Sequence, residues 1–323
     1  CIETVFFQGC AGGYFETETS KKSIEVLEHL GYEVLVPKQG CCGLAKQSNG
    51  LFEGATKDIL SLCDKIISLG KGLTVVSSSG SCVGMMKHEA HEIMGVDDPR
   101  LHDVSVRSRD FSEFLMDEYR NGELDTSQFR SIDITVPYHQ PCQVKSQGMG
   151  FPAVQLMELI PGVKVLESNE PCCGIAGTYG LKAERYEVAQ RIGAGVFKHM
   201  QDHNEGVGVC DTETCRWQIS KSSGVKIVHP VWLLHHSLGL SNNLLDDRNL
   251  LDLTALRWRE GSASPDLLRS GVGRDLLWGR APALSRAAAM SGATSGWGRR
   301  LAVEGRLAGL VKKYRFEVGP ILL

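Results

Sequence analysis

An excess of charge of either sign is missing from this 323-residue chain: 35 Lys and Arg stand against 38 Asp and Glu, for a formal net charge of -3. With no basic field and no block of like charges, nucleic acid is excluded as an expected partner. No apolar run approaches the roughly 18 to 20 residues that a spanning helix needs. The opening CIETVFFQGC lacks the basic start and long apolar stretch of a signal peptide. Together these absences predict a soluble, cytoplasmic protein. An initial Met is missing too, as expected of a piece of a longer protein. Nucleotide fingerprints are absent: GLFEGA (50–55) and GIAGTYG (174–180) have neither the G-x-G-x-x-G nor the lysine-ended pattern. No Ser-His-Asp set or carboxylate pair stands out for hydrolysis. KHEAHE (87–92) puts two residues between His88 and His91 where a zinc-protease helix needs three, and reads as a solvated helix face.

An even cysteine count is also lacking. The eleven cysteines lie at 1, 10, 41, 42, 63, 82, 142, 172, 173, 210 and 215. An odd number without an export signal argues against a disulfide scaffold, and adjacent cysteines that pair with each other close a strained ring. Clustered thiolates in a reducing compartment point instead to metal. The apolar fraction of 42% suffices for a real core.

The cysteines are ordered by an internal repeat. GCCGLA at 40–45 recurs as PCCGIA at 171–176. Cys10 to Cys142 spans 132 residues, Cys41 to Cys172 and Cys42 to Cys173 each span 131, and Cys82 to Cys215 spans 133. The intervening sequence keeps this register. IETVFFQGC and IDITVPYHQPC are β-branched and aromatic runs ending at a cysteine. EVLEHLGYEVLVPKQGCC and QLMELIPGVKVLESNEPCC each read as helix end, glycine break, Val/Leu strand and paired thiols. Downstream helices lead to TVVSSSGSC and VGVCDTETC.

Strand, helix, strand, helix, strand in each half predicts an α/β fold of two tandem, pseudo-symmetric units, each a small parallel sheet flanked by helices. Its cysteines sit at the carboxyl ends of strands, where open parallel sheets bind ligands. The expected boundaries are 1–125, 126–240 and a tail at 241–323. Cys210 lies opposite Ser77 and is an extra thiol of the second half. Cys63, inside a helix, is expected in the core.

Converging thiolates suit either zinc or an iron-sulfur cluster. Structural zinc sites favour C-x2-4-C knuckles, which the first half lacks; the second has Cys210-x4-Cys215. Iron-sulfur is preferred, with a zinc-stabilised scaffold as the alternative. Gly43 and Gly174 are expected to turn the chain sharply beside such a centre. His139 and His229 are read as satisfied loop residues rather than proton relays.

The segments GCCGLAKQSNGLF, SSSGSCVGMMKHEAHEI, VPYHQPCQ, CCGIAGTYGLKAERYEVA, CDTETCRWQI and VHPVWLL resemble the cysteine-rich CCG domain family of heterodisulfide reductase B-type subunits. Within that family the likeness runs to the iron-sulfur subunits of anaerobic glycerol-3-phosphate dehydrogenase, and it covers about residues 2 to 240. The resemblance implies an electron-transfer subunit with iron-sulfur clusters of the 4Fe-4S type. It would take electrons from flavoprotein dehydrogenase subunits and pass them toward the quinone pool. The ligands it implies are Cys10, Cys41, Cys42 and Cys82, then Cys142, Cys172, Cys173 and Cys215. Two departures stand out. The fullest family motif ends in C-x-x-C, whereas Cys82 is followed by Val83, Gly84 and Met85; this counts against a five-thiolate, non-cubane centre in the first half and leaves one open in the second. The ferredoxin-like amino-terminal segment usual in the family is not in the sequence, which would interrupt the electron path. Subunits of lactate or glycolate oxidation, or of disulfide reduction, are the related alternatives.

From 241 the composition shifts to eleven Arg, two Lys and no Cys, which reads as a disordered or foreign end. RRLAVEGRLAGLVKKYRF (299–316) has the pattern of a basic amphipathic helix for anionic lipid, which would place the protein peripherally at the inner face of the cell membrane. The plainer reading, and the preferred one, is that Ala, Leu and Arg form helix readily.

Overall fold

A computed structural model of the chain describes residues 2–38 and 40–245. The expectations for Cys1 and for the tail beyond 245 lie outside the described residues.

Two four-stranded sheets are built by the two halves. The first orders β2 (Tyr32–Leu35), β1 (Ile2–Phe6), β3 (Thr74–Ser77) and β4 (Ser108–Asp110). The second orders β6 (Val163–Glu167), β5 (Ile134–His139), β7 (Gly208–Cys210) and β8 (Ile227–Val228). Every pairing is parallel, as the crossover helices require.

The expectation of three strands per unit is corrected by β4 and β8. Ser-Arg-Asp has no β-branched residue to announce a strand, yet Ser108 and Asp110 are almost fully buried. Ile227–Val228 is too short to show a period.

The crossovers are helical because their apolar residues fall on one face. In helix Phe52–Ile67 the buried residues are Ala55, Ile59, Leu62, Cys63 and Ile66, spaced three to four apart. They close on Val5 and Val75 from the sheet, and Cys63 is fully buried there, as expected. Helix Phe111–Arg120 starts with a reciprocal cap: Asp110 accepts from the Ser112 amide at 2.9 Å, and the Asp110 amide donates to Glu113 at 3.1 Å. The KHEAHE segment is half-buried at its start rather than a solvated face. Met85–Glu89 is a π-helical turn, and Lys87 pairs with Glu113 at 2.9 Å.

The two units share a polar and aromatic seam. Helix Val231–Ser237 of the second half lies on helix Thr17–His29 of the first, where the buried Trp232 indole donates to Thr19 at 3.1 Å and His235 bonds Glu25 at 2.7 Å. Among the described residues, no helix is long and apolar enough to cross a membrane.

Candidate iron-sulfur site

Cys10 lies in helix Gly9–Tyr14, directly after β1. Cys41 and Cys42 follow β2, and Cys82 lies in helix Gly80–Gly84 after β3. The parallel sheet therefore delivers all four to one rim. Cys10 and Cys42 both hydrogen-bond Cys41, and the Cys42 thiol donates to Cys82 Sγ at 3.2 Å. Gly9 completes the approach. Its φ is +67°, and a Cβ there would stand 3.3 Å from Cys82 Sγ.

The second unit repeats this arrangement with one more sulfur. Cys142 opens helix Cys142–Lys145 after β5, Cys172 and Cys173 follow β6, and Cys215 lies in helix Glu213–Ser223 after β7. Cys142 and Cys173 hydrogen-bond Cys172. Cys173 and Cys210 hydrogen-bond Cys215. Cys210 is the last residue of β7, and Ser77, its counterpart, is the last of β3.

Each set grades from wet to dry. Cys142 is exposed, Cys10, Cys41 and Cys172 are partly so, and Cys42, Cys82, Cys173, Cys210 and Cys215 are buried among apolar core residues. All ten described cysteines are free thiols. The first cysteine of each pair collects the hydrogen bonds. Cys41 is held far below the usual thiol range by Cys10, Cys42 and the Gly43 amide, and Cys172 likewise by Cys142, Cys173 and the Gly174 amide. Their neighbours Cys10, Cys42, Cys142 and Cys173 are pushed up, first because they donate those bonds and then by burial.

Gly43 and Gly174 have a more specific task than the expected open turn. Each sits at φ +87° and gives its amide to the preceding pair's first sulfur, at 3.4 Å on Cys41 and 3.2 Å on Cys172. A Cβ would come within 2.7 Å of the Ala55 carbonyl oxygen and 2.1 Å of the Ala189 carbonyl oxygen. Glycine is demanded twice over, by the left-handed backbone and by the helix pressed against it.

Among the described residues, no group of three or more His, Cys, Asp or Glu side chains surrounds the position of a single metal ion. The sulfurs run instead as a row of neighbouring thiols from surface to core. An all-sulfur donor set of four, with backbone amides aimed at it and apolar walls behind it, fits a polynuclear iron-sulfur group.

The histidines are only partly as expected: each has one partnered and one unpartnered ring nitrogen, and only His229 lies in a loop. His139 ends β5 and is wholly buried, with Nδ1 on Ser168 Oγ at 3.0 Å and Nε2 unpartnered. Burial draws its pKa down to about 4, so it is neutral. His229 is also buried; its Nδ1 accepts from the Val231 amide at 3.1 Å, and burial pulls its pKa down too.

Sequence reading missed the groups between the two sulfur sets. Ser79 Oγ donates to Glu213 Oε2 at 3.0 Å, and Ser81 Oγ to Thr212 Oγ1 at 3.3 Å. Tyr138 donates to Asp211 at 2.5 Å. Arg216, 2% exposed, reaches Glu16 of the first unit through Nε at 3.0 Å and the Cys210 and Asp211 carbonyls through one terminal nitrogen at 2.9 and 2.7 Å. Burial raises Asp110 well above the carboxylate range, Asp211 to about 6 and Glu213 to about 7. The one visible signal was the polar run DTET before Cys215, where the first half has SSGS before Cys82.

Comparison with known proteins agrees with this geometry. A model of the CCG cysteine-rich domain matches residues 4–87 and again 136–220. The chain is 32% identical over 240 residues to the C subunit of the anaerobic glycerol-3-phosphate dehydrogenase of Escherichia coli strain K12, across 73% of this chain and 59% of that protein. It is 27% identical over 246 residues to lactate utilization protein A of Oceanobacillus iheyensis, across 72% of this chain and 97% of that one. The B subunit of the fumarate reductase (CoM/CoB) of Methanothermobacter marburgensis is 28% identical over 193 residues, across 58% of this chain and 35% of its own length. The chain thus spans about three fifths of the length of the first of these relatives.

Proposed function

The chain belongs to the CCG cysteine-rich domain family, and from that premise we propose that it is an iron-sulfur electron-transfer subunit of a glycerol-3-phosphate dehydrogenase complex. Cys10, Cys41, Cys42 and Cys82 would hold one cluster. Cys142, Cys172, Cys173 and Cys215, with Cys210 as a fifth sulfur, would hold the other. Each cluster, proposed as the 4Fe-4S type, supplies a one-electron couple when bound. The Gly43 and Gly174 amides donate to the Cys41 and Cys172 sulfurs, and the apolar residues behind each set exclude water from its inner end. Electrons would enter from a flavoprotein partner and leave toward quinone, with the protein at the cytoplasmic side of the membrane.

The single observation that carries this reading is the gathering of four free thiols, from three strand ends, twice at the same register. Anaerobic purification with iron, zinc and acid-labile sulfide analysis tests it. Iron and sulfide in equal amounts are expected; zinc without sulfide overturns it in favour of a scaffold. A second reading, a subunit of lactate or glycolate oxidation, is favoured by the near-complete coverage of the lactate utilization relative, 97% of its length. The flavoprotein that co-purifies distinguishes the two.

A further inference from the structure

The two sulfur sets are similar in ligands but not in surrounding charge. Arg216 follows Cys215 directly, and 133 residues earlier, in the register of Cys82, the chain has Val83. Glu16 belongs to the first unit, six residues after Cys10, and 132 residues later, in the register of Cys142, stands Gly148. The ion pair therefore has no mirror image across the pseudo-symmetric seam. Its positive end lies on the second set, since the guanidinium holds the Cys210 carbonyl at 2.9 Å and interacts with the Cys210 sulfur. Its negative end lies at the start of helix Thr17–His29, where the first unit turns away from Cys10. Arg216 is nearly without solvent contact and the Glu16 side chain is 16% exposed, so salt and water screen the pair weakly.

Other charged groups lie near the seam. Glu213 lies between the sets and acts on both Cys10 and Arg216. Lys46 acts on Cys41 at the wetter end of the first set and is offset by Asp58 at 2.8 Å. Asp110 of the first half and Asp211 of the second repel each other.

We infer that the buried Arg216–Glu16 pair makes the two centres electrically unequal and biases an added electron toward the second. The physical cause is elementary: an electron is negative charge, a buried cation beside it lowers its energy, and a buried anion raises it. No bond forms or breaks; one electron arrives from an external one-electron reductant and rests on the centre with the higher potential. This rests on the reading that each repeat holds a cluster.

The test is a spectroelectrochemical titration of cluster-loaded protein with dithionite, followed by electron paramagnetic resonance. Two midpoint potentials are expected, the higher one vanishing in Cys173→Ser. Arg216→Met is expected to lower that higher potential by at least about 59 mV, a tenfold change for a one-electron couple. Arg216→Lys, which keeps the charge, should recover most of the shift. Glu16→Gln leaves the Arg216 cation unpaired beside the second set, so it should raise the higher potential, and it carries the test should Arg216→Met fail to fold. Equal potentials in the parent protein, or potentials unmoved in Glu16→Gln, overturn the inference while leaving the cluster assignment intact. Protein without iron and labile sulfide would instead remove the assignment on which it stands.

Discussion

At the scale of single residues, the two glycines behind the cysteine pairs carry the sharpest demand. A methyl group at Gly174 meets a carbonyl oxygen at 2.1 Å in a backbone conformation with φ +87°, so Gly174→Ala has to move the paired thiols or the helix behind them. We expect it to cost more than about 1 kcal/mol in chemical denaturation and to lower the iron content of the second set. Gly43→Ala, with its contact at 2.7 Å, should act in the same direction and less strongly. Asp110 gives a prediction in pH. Its carboxyl is buried at 1% exposure, with Oδ2 unpartnered and Asp211 nearby. Its folded pKa lies above the unfolded value of about 3.9, so the folded state binds more protons than the unfolded chain. Stability is then fully present below about pH 4 and falls as pH rises toward the folded pKa. Asp110→Asn keeps an acceptor for the Ser112 amide and loses the charge. Denaturation at pH 5 to 8 should show a flatter profile and equal or greater stability at pH 7; a steeper profile would contradict this.

At the scale of elements, the helix Val231–Ser237 and the helix Thr17–His29 form the polar and aromatic clamp of the seam. Trp232 is 4% exposed, bonds Thr19 and lies under Lys22 at 4.7 Å. Trp232→Ala should cost about 3 to 5 kcal/mol. Because the partners belong to different halves, a second transition in thermal unfolding is expected as the halves separate. This clamp also marks the limit of what the sequence discloses. Cysteine spacing exposed the repeat, the parallel order and the gathering of thiols, because those depend on a period and on residues whose chemistry is visible one at a time. β4 stayed hidden because Ser-Arg-Asp is polar, and its burial comes from Asp110 serving as a helix cap rather than from hydrophobicity. Arg216 and Glu16 stayed hidden because 200 residues separate them, and no local pattern announces a partner at that distance. The second role of Gly43 and Gly174 was invisible because it depends on how the helices carrying Ala55 and Ala189 pack back against the chain.

At the scale of the whole molecule, duplication makes the two halves separable by chemistry. Cys172→Ser with Cys173→Ser should remove about half of the iron, since each repeat supplies its own sulfur set. The remaining half should stay bound through Cys10, Cys41, Cys42 and Cys82. Loss of all iron would mean that the two sets share one centre, and iron analysis of the purified variant decides between them. Parallel strands have a further consequence at this scale. With the proposed ligand thiols delivered to the carboxyl rim, the opposite rim is left with short turns such as Gly31 before β2 and Gly206 before β7, where added side-chain atoms meet nothing within 4 Å. Those turns are the natural places to splice in a purification handle or a fluorescent reporter, on the side of the fold where foreign peptide would leave the inorganic chemistry undisturbed.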